Sequence, residues 1–131
     1  MAIFHQAPFI QELGIELLDC GPGWCENQLV LRPQHLQQDG YVHAGVQTTL
    51  ADHTAGAAAY TLIPPAAYVL SVEFKMHLLR PGVGQSLMCR ATVLKPGRRL
   101  NIVESEVFAL DGATRKLVAK FIGTMATISP T

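Results

Sequence analysis

The run from Ala44 to Leu62, AGVQTTLADHTAGAAAYTL, decides the fold of this chain. It is rich in Ala, Thr and Leu and is followed by Pro64-Pro65, so the sequence predicts one helix over this range. Side chains are small almost all round, with Ala or Gly at position 51 and at every position from 55 to 59, and no wide polar face remains. Such a helix is expected to lie at the centre of the molecule, wrapped by other elements.

Extended segments lie on both sides of this helix. Alternating polar and apolar residues over 69–74 and 102–107 predict strands with one wet and one dry face. Turn signals rich in Gly and Pro separate the segments. The predicted strands are Ile15–Cys20, Trp24–Leu31, Tyr68–Leu79, Gln85–Leu94, Leu100–Leu110 and Lys116–Ile128. With a short helix over Met1–Leu13 laid on an apolar surface, the pattern predicts an α+β fold in which a curved antiparallel sheet surrounds the central helix.

Composition limits the possible functions. The chain has 131 residues, which predicts a single domain over residues 1–131. Only 15% of the residues are charged, which indicates that part of the surface is covered by another subunit. Ten basic side chains balance ten acidic ones, so no net field favours nucleic acid or an anionic membrane.

Cysteine and histidine usage is equally informative. Three cysteines without a CxxC pair, and no signal-like N-terminus, predict a cytoplasmic protein. No apolar run approaches the ~18–20 residues of a membrane span. The five histidines form no metal-ligand spacing and no cysteine lies near any of them, so no metal site is predicted. No catalytic role is expected for Cys20, Cys25 or Cys89, because none accompanies a base or a helix start.

Asp52 is unusual for the interior of an alanine-rich helix. Its neighbours one turn away offer hydroxyls at best and no positive charge. A desolvated carboxylate without a cation has a raised pKa, which favours a role as base or nucleophile. The alternative is that Asp52 emerges at the helix edge and is simply solvated.

The predicted start of the helix, Val42-His43-Ala44-Gly45, is the second candidate. The first backbone N–H groups of a helix lack partners within it, and small side chains at Ala44 and Gly45 would let an anion or oxyanion approach them. His43 could be a ligand or a base, although a role in holding the loop by hydrogen bonds is favoured. Gly45 and Asp52 lie ~10 Å apart along one helix, too far to act on one carbonyl. The two groups would therefore meet from two copies of the chain whose helices run antiparallel about a two-fold axis.

The segment from Gln37 to Asp52, QQDGYVHAGVQTTLAD, resembles the signature of the hotdog-fold acyl-CoA thioesterases of the PaaI-like (phenylacetic-acid-degradation) group. That signature has an Asn or Gln, an HGG six residues later, and a carboxylate nine residues after its His. Gln37, His43 and Asp52 keep these spacings. The leading helix, LGIEL at 13–17, Ser71, Arg80-Pro81 and VLK at 93–95 extend the resemblance over nearly the whole chain.

The resemblance implies hydrolysis of acyl-CoA thioesters, with aromatic or medium-chain acyl groups. The backbone N–H of Ala44 would polarise the thioester carbonyl with help from Gln37, and Asp52 of the facing subunit would act as nucleophile or general base. Ser71 would orient the water or the carboxylate, or would be only a strand residue. Ala44 departs from the family glycine, and its methyl group narrows the approach to the amide.

The substrate and the assembly follow from the same resemblance. Coenzyme A would be part of the substrate, so no separate cofactor is needed, and Lys95, Arg98 and Arg99 are the candidates for its phosphates, unless they form only a solvated turn. A homodimer is the minimum unit, and a homotetramer is expected. One alternative is a non-catalytic acyl-CoA-binding sensor, which would need an output element that the chain lacks. Another is an acyl-thioester hydratase, disfavoured because His43 and Asp52 would face opposite sides of the helix.

Overall fold

The computed structural model describes residue 4 and residues 6–130. Two helices and six strands are named here in chain order. They are α1 (Pro8–Leu13), β1 (Glu16–Gly21), β2 (Trp24–Val30), α2 (Ala44–Tyr60), β3 (Tyr68–Leu78), β4 (Ser86–Lys95), β5 (Leu100–Asp111) and β6 (Thr114–Ile128). The predicted strands and the central helix are confirmed, each end lying within two residues of its expected position.

The strands form one antiparallel sheet in the order β1-β2-β4-β5-β6-β3. Helix α2 packs against β2 to β6, and its residues from 54 to 59 are all buried. The small side chains at these positions allow the sheet to curve closely around the helix, as the sequence predicted.

Polar contacts also hold α2 against the sheet. The Asn27 side-chain amide donates to Thr54 Oγ1 (2.9 Å), and Ser105 Oγ donates to the backbone oxygen of Ala51 (2.8 Å). All four residues are buried, so each hydrogen bond satisfies groups that would otherwise be costly to desolvate. These bonds fix the rotation of α2 and therefore the direction in which Asp52 points.

The first helix is shorter than expected. It begins at Pro8, which can start a helix because its missing N–H would have no partner there. Residues 1–3 and 5 of the predicted range lie outside the described residues. The ring of Phe4 stacks on His53 with 4.5 Å between ring centroids and would touch a side chain at Gly56, so Phe4 covers this part of α2.

Strand β3 departs from the prediction of one wet and one dry face. It is an edge strand, and large apolar side chains on both of its faces are exposed, with Leu70 at 54% and Val72 at 59%. A register shift between Ser71 and Glu73 reverses the alternation part-way along the strand, which is why the sequence pattern was misleading here. In β5 the prediction is confirmed, since Val103 and Val107 are buried and their neighbours are not.

Candidate active site

The beginning of α2 is shaped by a histidine cap. His43 precedes the first helical residue, and its Nδ1 accepts a hydrogen bond from the N–H of Gly45 (2.8 Å). A side-chain carbon at Gly45 would lie 3.0 Å from Nδ1, so glycine lets the ring approach without a tight contact. The geometry matches the loop-holding role that the sequence favoured for His43.

The cap leaves one N–H without an acceptor. The N–H groups of Val46 and Gln47 both donate to the backbone oxygen of His43 (3.0 and 3.2 Å), and that of Gly45 is taken by the ring. The sequence had left both Ala44 and Gly45 as candidate anion donors. Within the part of the chain that the structure describes, the N–H of Ala44 has no partner, so it is the group available to a ligand.

Ala44 lines a cavity of about 560 Å³, which we call the helix-start cavity. Its wall includes Gln37, His43, Ala44, Gln47, Leu78 and Arg80. The fold therefore brings together three predicted site residues, namely Gln37, His43 and Ala44. Gln47 is an addition that the sequence did not single out, since nothing in the helical pattern marks it as facing a cavity.

Gln37 is oriented by the loop that carries it. Its Oε1 accepts hydrogen bonds from the backbone N–H groups of Asp39 and Tyr41. Since the oxygen is held in the loop, the amide NH₂ group is left to donate, and it has no partner among the described residues. Gln37 thus offers a second donor to the cavity that contains Ala44.

Asp52 lies on a different side of α2 and does not line this cavity. It is half-buried, and its Oδ1 accepts a hydrogen bond from the hydroxyl of Ser71 in β3 (2.7 Å). The neighbouring hydroxyls of Thr48 and Thr49 instead donate to backbone oxygens one turn earlier in α2. Ser71 is therefore the donor to the Asp52 carboxylate, and neither of these two residues lines the helix-start cavity of its own chain.

Burial raises the pKa of the Asp52 carboxyl above its usual value, and the hydrogen bond from Ser71 partly lowers it again. The ion pairs of the described residues join Arg90 to Glu26 and Lys120 to two glutamates, so none of them neutralises Asp52. The raised pKa agrees with the expectation drawn from the absence of nearby cations. A carboxylate in this state is a stronger base than an exposed aspartate.

The basic residues of the β4–β5 turn form a separate region. Arg98 and Arg99 line a second cavity of about 620 Å³ with Pro64 and Ile128, near the beginning of β3. Lys95 is exposed at the end of β4 and lines neither cavity. Within one chain, these side chains are not part of the helix-start cavity.

Cysteines and metal ligands add nothing to this site. Burial raises the pKa of both Cys25 and Cys89 to about 12, so neither thiol is a nucleophile at neutral pH. Among the residues described, no three His, Cys, Asp or Glu side chains are grouped so that they could hold a metal ion. In the same residues, no helix is both long and apolar enough to span a membrane.

Comparison with known families bears on the activity. The model of the Thioesterase superfamily matches residues 39–116, which is more than half of the chain. The match begins two residues after Gln37 and includes α2 and β3. The chain belongs to the Thioesterase superfamily. It is a thioesterase with the hotdog fold, as the signature around His43 indicated.

Solved structures agree with this assignment. A thioesterase family protein from Silicibacter pomeroyi is 31% identical and superposes with a TM-score of 0.96, covering 98% of this thioesterase and 95% of that chain. A protein from Thermus thermophilus is 30% identical with a TM-score of 0.79, covering 92% and 97%. The PaaI protein of the E. coli phenylacetic acid degradation operon has a TM-score of 0.87 at 22% identity, with 99% and 91% covered, and shares the fold.

Proposed function

We propose that this thioesterase hydrolyses acyl-CoA thioesters, with aromatic or medium-chain acyl groups, at two equivalent sites formed between two copies of the chain. The observation that carries the proposal is the separation of the site into two halves. The donors of Ala44 and Gln37 line one cavity, whereas the Asp52 carboxylate is bound to Ser71 outside it. A second chain is needed to bring the halves together.

The exposed edge strand β3 supplies the surface for this pairing. An unpaired edge with exposed apolar side chains is rarely left open in a soluble protein. Ser71 lies near its beginning, and Leu78, which lines the helix-start cavity, lies at its end. Seven residues of strand separate them by ~24 Å.

Antiparallel pairing of two β3 strands removes that separation. If Ser71 of one chain lies opposite Leu78 of the other, the two-fold axis passes between Phe74 and Lys75. Asp52, which is bonded to Ser71, then comes next to the other chain's cavity. The apolar side chains of β3 become covered by the same contact, which agrees with the low content of charged residues in the chain.

The chemistry then follows from the two halves. The N–H of Ala44 and the amide NH₂ of Gln37 bind the carbonyl oxygen and stabilise the negative charge that develops on it, and one such donor is commonly worth ~3 kcal/mol of barrier. Asp52 of the facing subunit takes a proton from a water molecule whose oxygen adds to the carbonyl carbon, or adds directly to form an anhydride that water cleaves. The carbon–sulfur bond breaks, and the CoA thiolate leaves and is protonated.

Arg98 and Arg99, with Lys95 nearby, are proposed to bind the CoA phosphates of the site in the facing subunit. Their cavity lies near the beginning of β3, the end of the strand that antiparallel pairing brings toward the other chain's helix-start cavity. Guanidinium groups suit phosphate because they donate two parallel hydrogen bonds.

The test is the release of free CoA from a panel of aryl and alkyl acyl-CoA thioesters by the native protein and by Asp52→Asn. We expect turnover to fall at least ~100-fold in the variant, about 2.7 kcal/mol of barrier, with binding retained. The double variant Arg98→Ala/Arg99→Ala should raise KM for CoA thioesters but not for N-acetylcysteamine thioesters, which lack the phosphates. If the native chain bound acyl-CoA but released CoA from none of the panel, the proposal would be wrong and a binding role would replace it.

A further inference from the structure

His35 is a fully buried histidine that does not line the helix-start cavity. It ends the 3-10 turn Pro33–His35, after β2. Its Nδ1 accepts a hydrogen bond from the backbone N–H of Arg32 (3.0 Å), and its Nε2 lies 2.8 Å from the backbone oxygen of Leu13. Because one nitrogen faces a donor and the other faces an oxygen that can only accept, the ring hydrogen lies on Nε2 and is donated to Leu13. Both ring nitrogens are thus paired, as their burial requires.

The hydrogen bond to Leu13 joins two parts of the chain that are far apart in sequence. Leu13 is the last residue of α1, and its backbone oxygen also accepts a hydrogen bond from the guanidinium group of Arg32 (2.9 Å). The same guanidinium group donates to the backbone oxygen of Glu12 (2.8 Å). Carbonyl groups at the end of a helix have no partner within it, so these side chains supply the missing donors. The end of α1 is thereby bound to the turn that carries His35.

The residues after this turn form a small hairpin, residues 35–43, which we call the donor loop. Its base is closed by the backbone N–H of His43, which donates to the backbone oxygen of His35 (2.9 Å). The N–H of Val42 donates out of the loop, to the backbone oxygen of Gly82 (3.0 Å). The donor loop is therefore anchored on one side by the His35 ring and on the other side by the chain after β3. Loss of one anchor would let the loop turn about the other.

Both proposed donors to the thioester depend on the base of the donor loop. Gln37 lies two residues after His35, and Ala44 directly follows His43. A small rotation of the base moves the Gln37 amide and the Ala44 N–H together, away from the position where both reach one oxygen. Displacements of about 1 Å at an active site are known to cost about 100-fold in rate.

We propose that His35 is a positioning residue, which holds the donor loop through its hydrogen bond to Leu13 so that Gln37 and Ala44 donate to the same carbonyl oxygen. The inference rests on the proposed function and adds to it a residue outside the cavity. His35 does not touch the substrate. It links the end of α1 to the geometry of the oxyanion donors.

Two exchanges at His35 separate its two hydrogen bonds. In His35→Asn the side-chain oxygen takes the place of Nδ1 and keeps the bond from Arg32, but the shorter side chain does not reach Leu13. In His35→Gln the side-chain NH₂ group takes the place of Nε2 and keeps the bond to Leu13. We expect kcat to fall roughly tenfold or more in His35→Asn, with KM little changed, and to be largely restored in His35→Gln.

The direct readout is the infrared stretching band of the thioester carbonyl in a bound ligand. Phenylacetyl-CoA or hexanoyl-CoA, labelled with ¹³C at the carbonyl, is bound to Asp52→Asn, in which it persists. Fixed donors polarise the carbonyl, so its band should lie at a lower frequency than in water. Adding His35→Asn should move the band back toward the frequency in water, and adding His35→Gln should not. Val107→Ala, a buried apolar exchange in β5, lowers stability and should leave the band in place.

The outcomes separate this inference from the proposed function. If the band in Asp52→Asn lies at the frequency in water, the oxyanion donors are wrong and the role of His35 falls with them. If the band is lowered in Asp52→Asn and stays equally low with His35→Asn, only the role of His35 is overturned. An equal shift in His35→Asn and His35→Gln would overturn the anchor to Leu13.

A second variant covers the case in which His35→Asn does not fold. Arg32→Ala removes the guanidinium donors to Glu12 and Leu13 at a half-buried position, while its backbone N–H still donates to His35. This exchange loosens the end of α1 to which His35 is bound, and the carbonyl band is expected to move in the same direction by a smaller amount. A band that does not move in Arg32→Ala would then overturn the inference.

Discussion

Burial of Asp52 makes the negative charge of its carboxylate energetically unfavourable. A solvated aspartate ionises readily but is a weak base, whereas burial makes the Asp52 carboxylate a better proton acceptor. Ser71 opposes this effect, since its hydroxyl donates to the ionised form. The pair therefore combines basicity with a fixed orientation of the carboxylate.

The balance between burial and Ser71 predicts a particular pH dependence. Catalysis needs ionised Asp52, so kcat/KM should fall as the pH drops through a pKa higher than that of an ordinary aspartate. Ser71→Ala removes the contact that lowers this pKa, and the acidic limb of the kcat/KM profile is expected to move to higher pH. Ser86→Ala, in a strand that lines neither cavity, is the control and should leave the limb in place. If the acidic limb of the kcat/KM profile stayed in place in Ser71→Ala, Ser71 would not act through Asp52.

The start of α2 shows how one element prepares a donor. His43 takes the N–H of Gly45, and the backbone oxygen of His43 takes those of the next two residues, so the helix start presents the N–H of Ala44 alone. The helix also carries Gln47 and Asp52 on different sides. A single helix thus contributes an oxyanion donor and a cavity wall to one site and a carboxylate to another.

The cap hypothesis for His43 can be separated from a role as base or ligand. His43→Ala removes the acceptor for Gly45 and should lower the free energy of unfolding by about 1 kcal/mol, with a loss of kcat because Ala44 is no longer held in place. His43→Asn restores a side-chain acceptor at the cap position and should recover most of both losses. Urea unfolding and kcat for the two variants provide the measurement. Recovery of stability without recovery of kcat would show that the imidazole itself takes part in the reaction.

The sequence predicted those elements whose local pattern and tertiary environment agree. The small residues of α2 and the stop at Pro64 identified the central helix, and the spacing of Gln37, His43 and Asp52 identified the family. The exposure of β3 could not be predicted, because a bulge after Ser71 and a place at the sheet edge are set by pairing with β6. The cavity position of Gln47 was hidden for a similar reason, since it depends on Gly82, in the loop after β3, lying against the Gln47 amide.

At the scale of the whole molecule, two chains should share each site, and mixing two inactive variants tests this. Asp52→Asn lacks the carboxylate. Gln37→Glu keeps an oxygen for the loop N–H groups of Asp39 and Tyr41 but loses the donor to the thioester, which should cost roughly 100-fold or more in kcat. Each variant alone should be nearly inactive.

A chain with Asp52→Asn paired with a chain carrying Gln37→Glu contains one site with both groups intact and one site with neither. After unfolding and refolding of an equimolar mixture, random pairing makes one site in four intact, so activity should return to about a quarter of the native value. The same mixture assembled without subunit exchange is the control and should stay inactive. If Ala44, Gln37 and Asp52 of a single chain acted on one substrate, every site would contain a defect and no activity would return. Recovery therefore depends on the antiparallel pairing of β3 that brings Asp52 to the facing cavity.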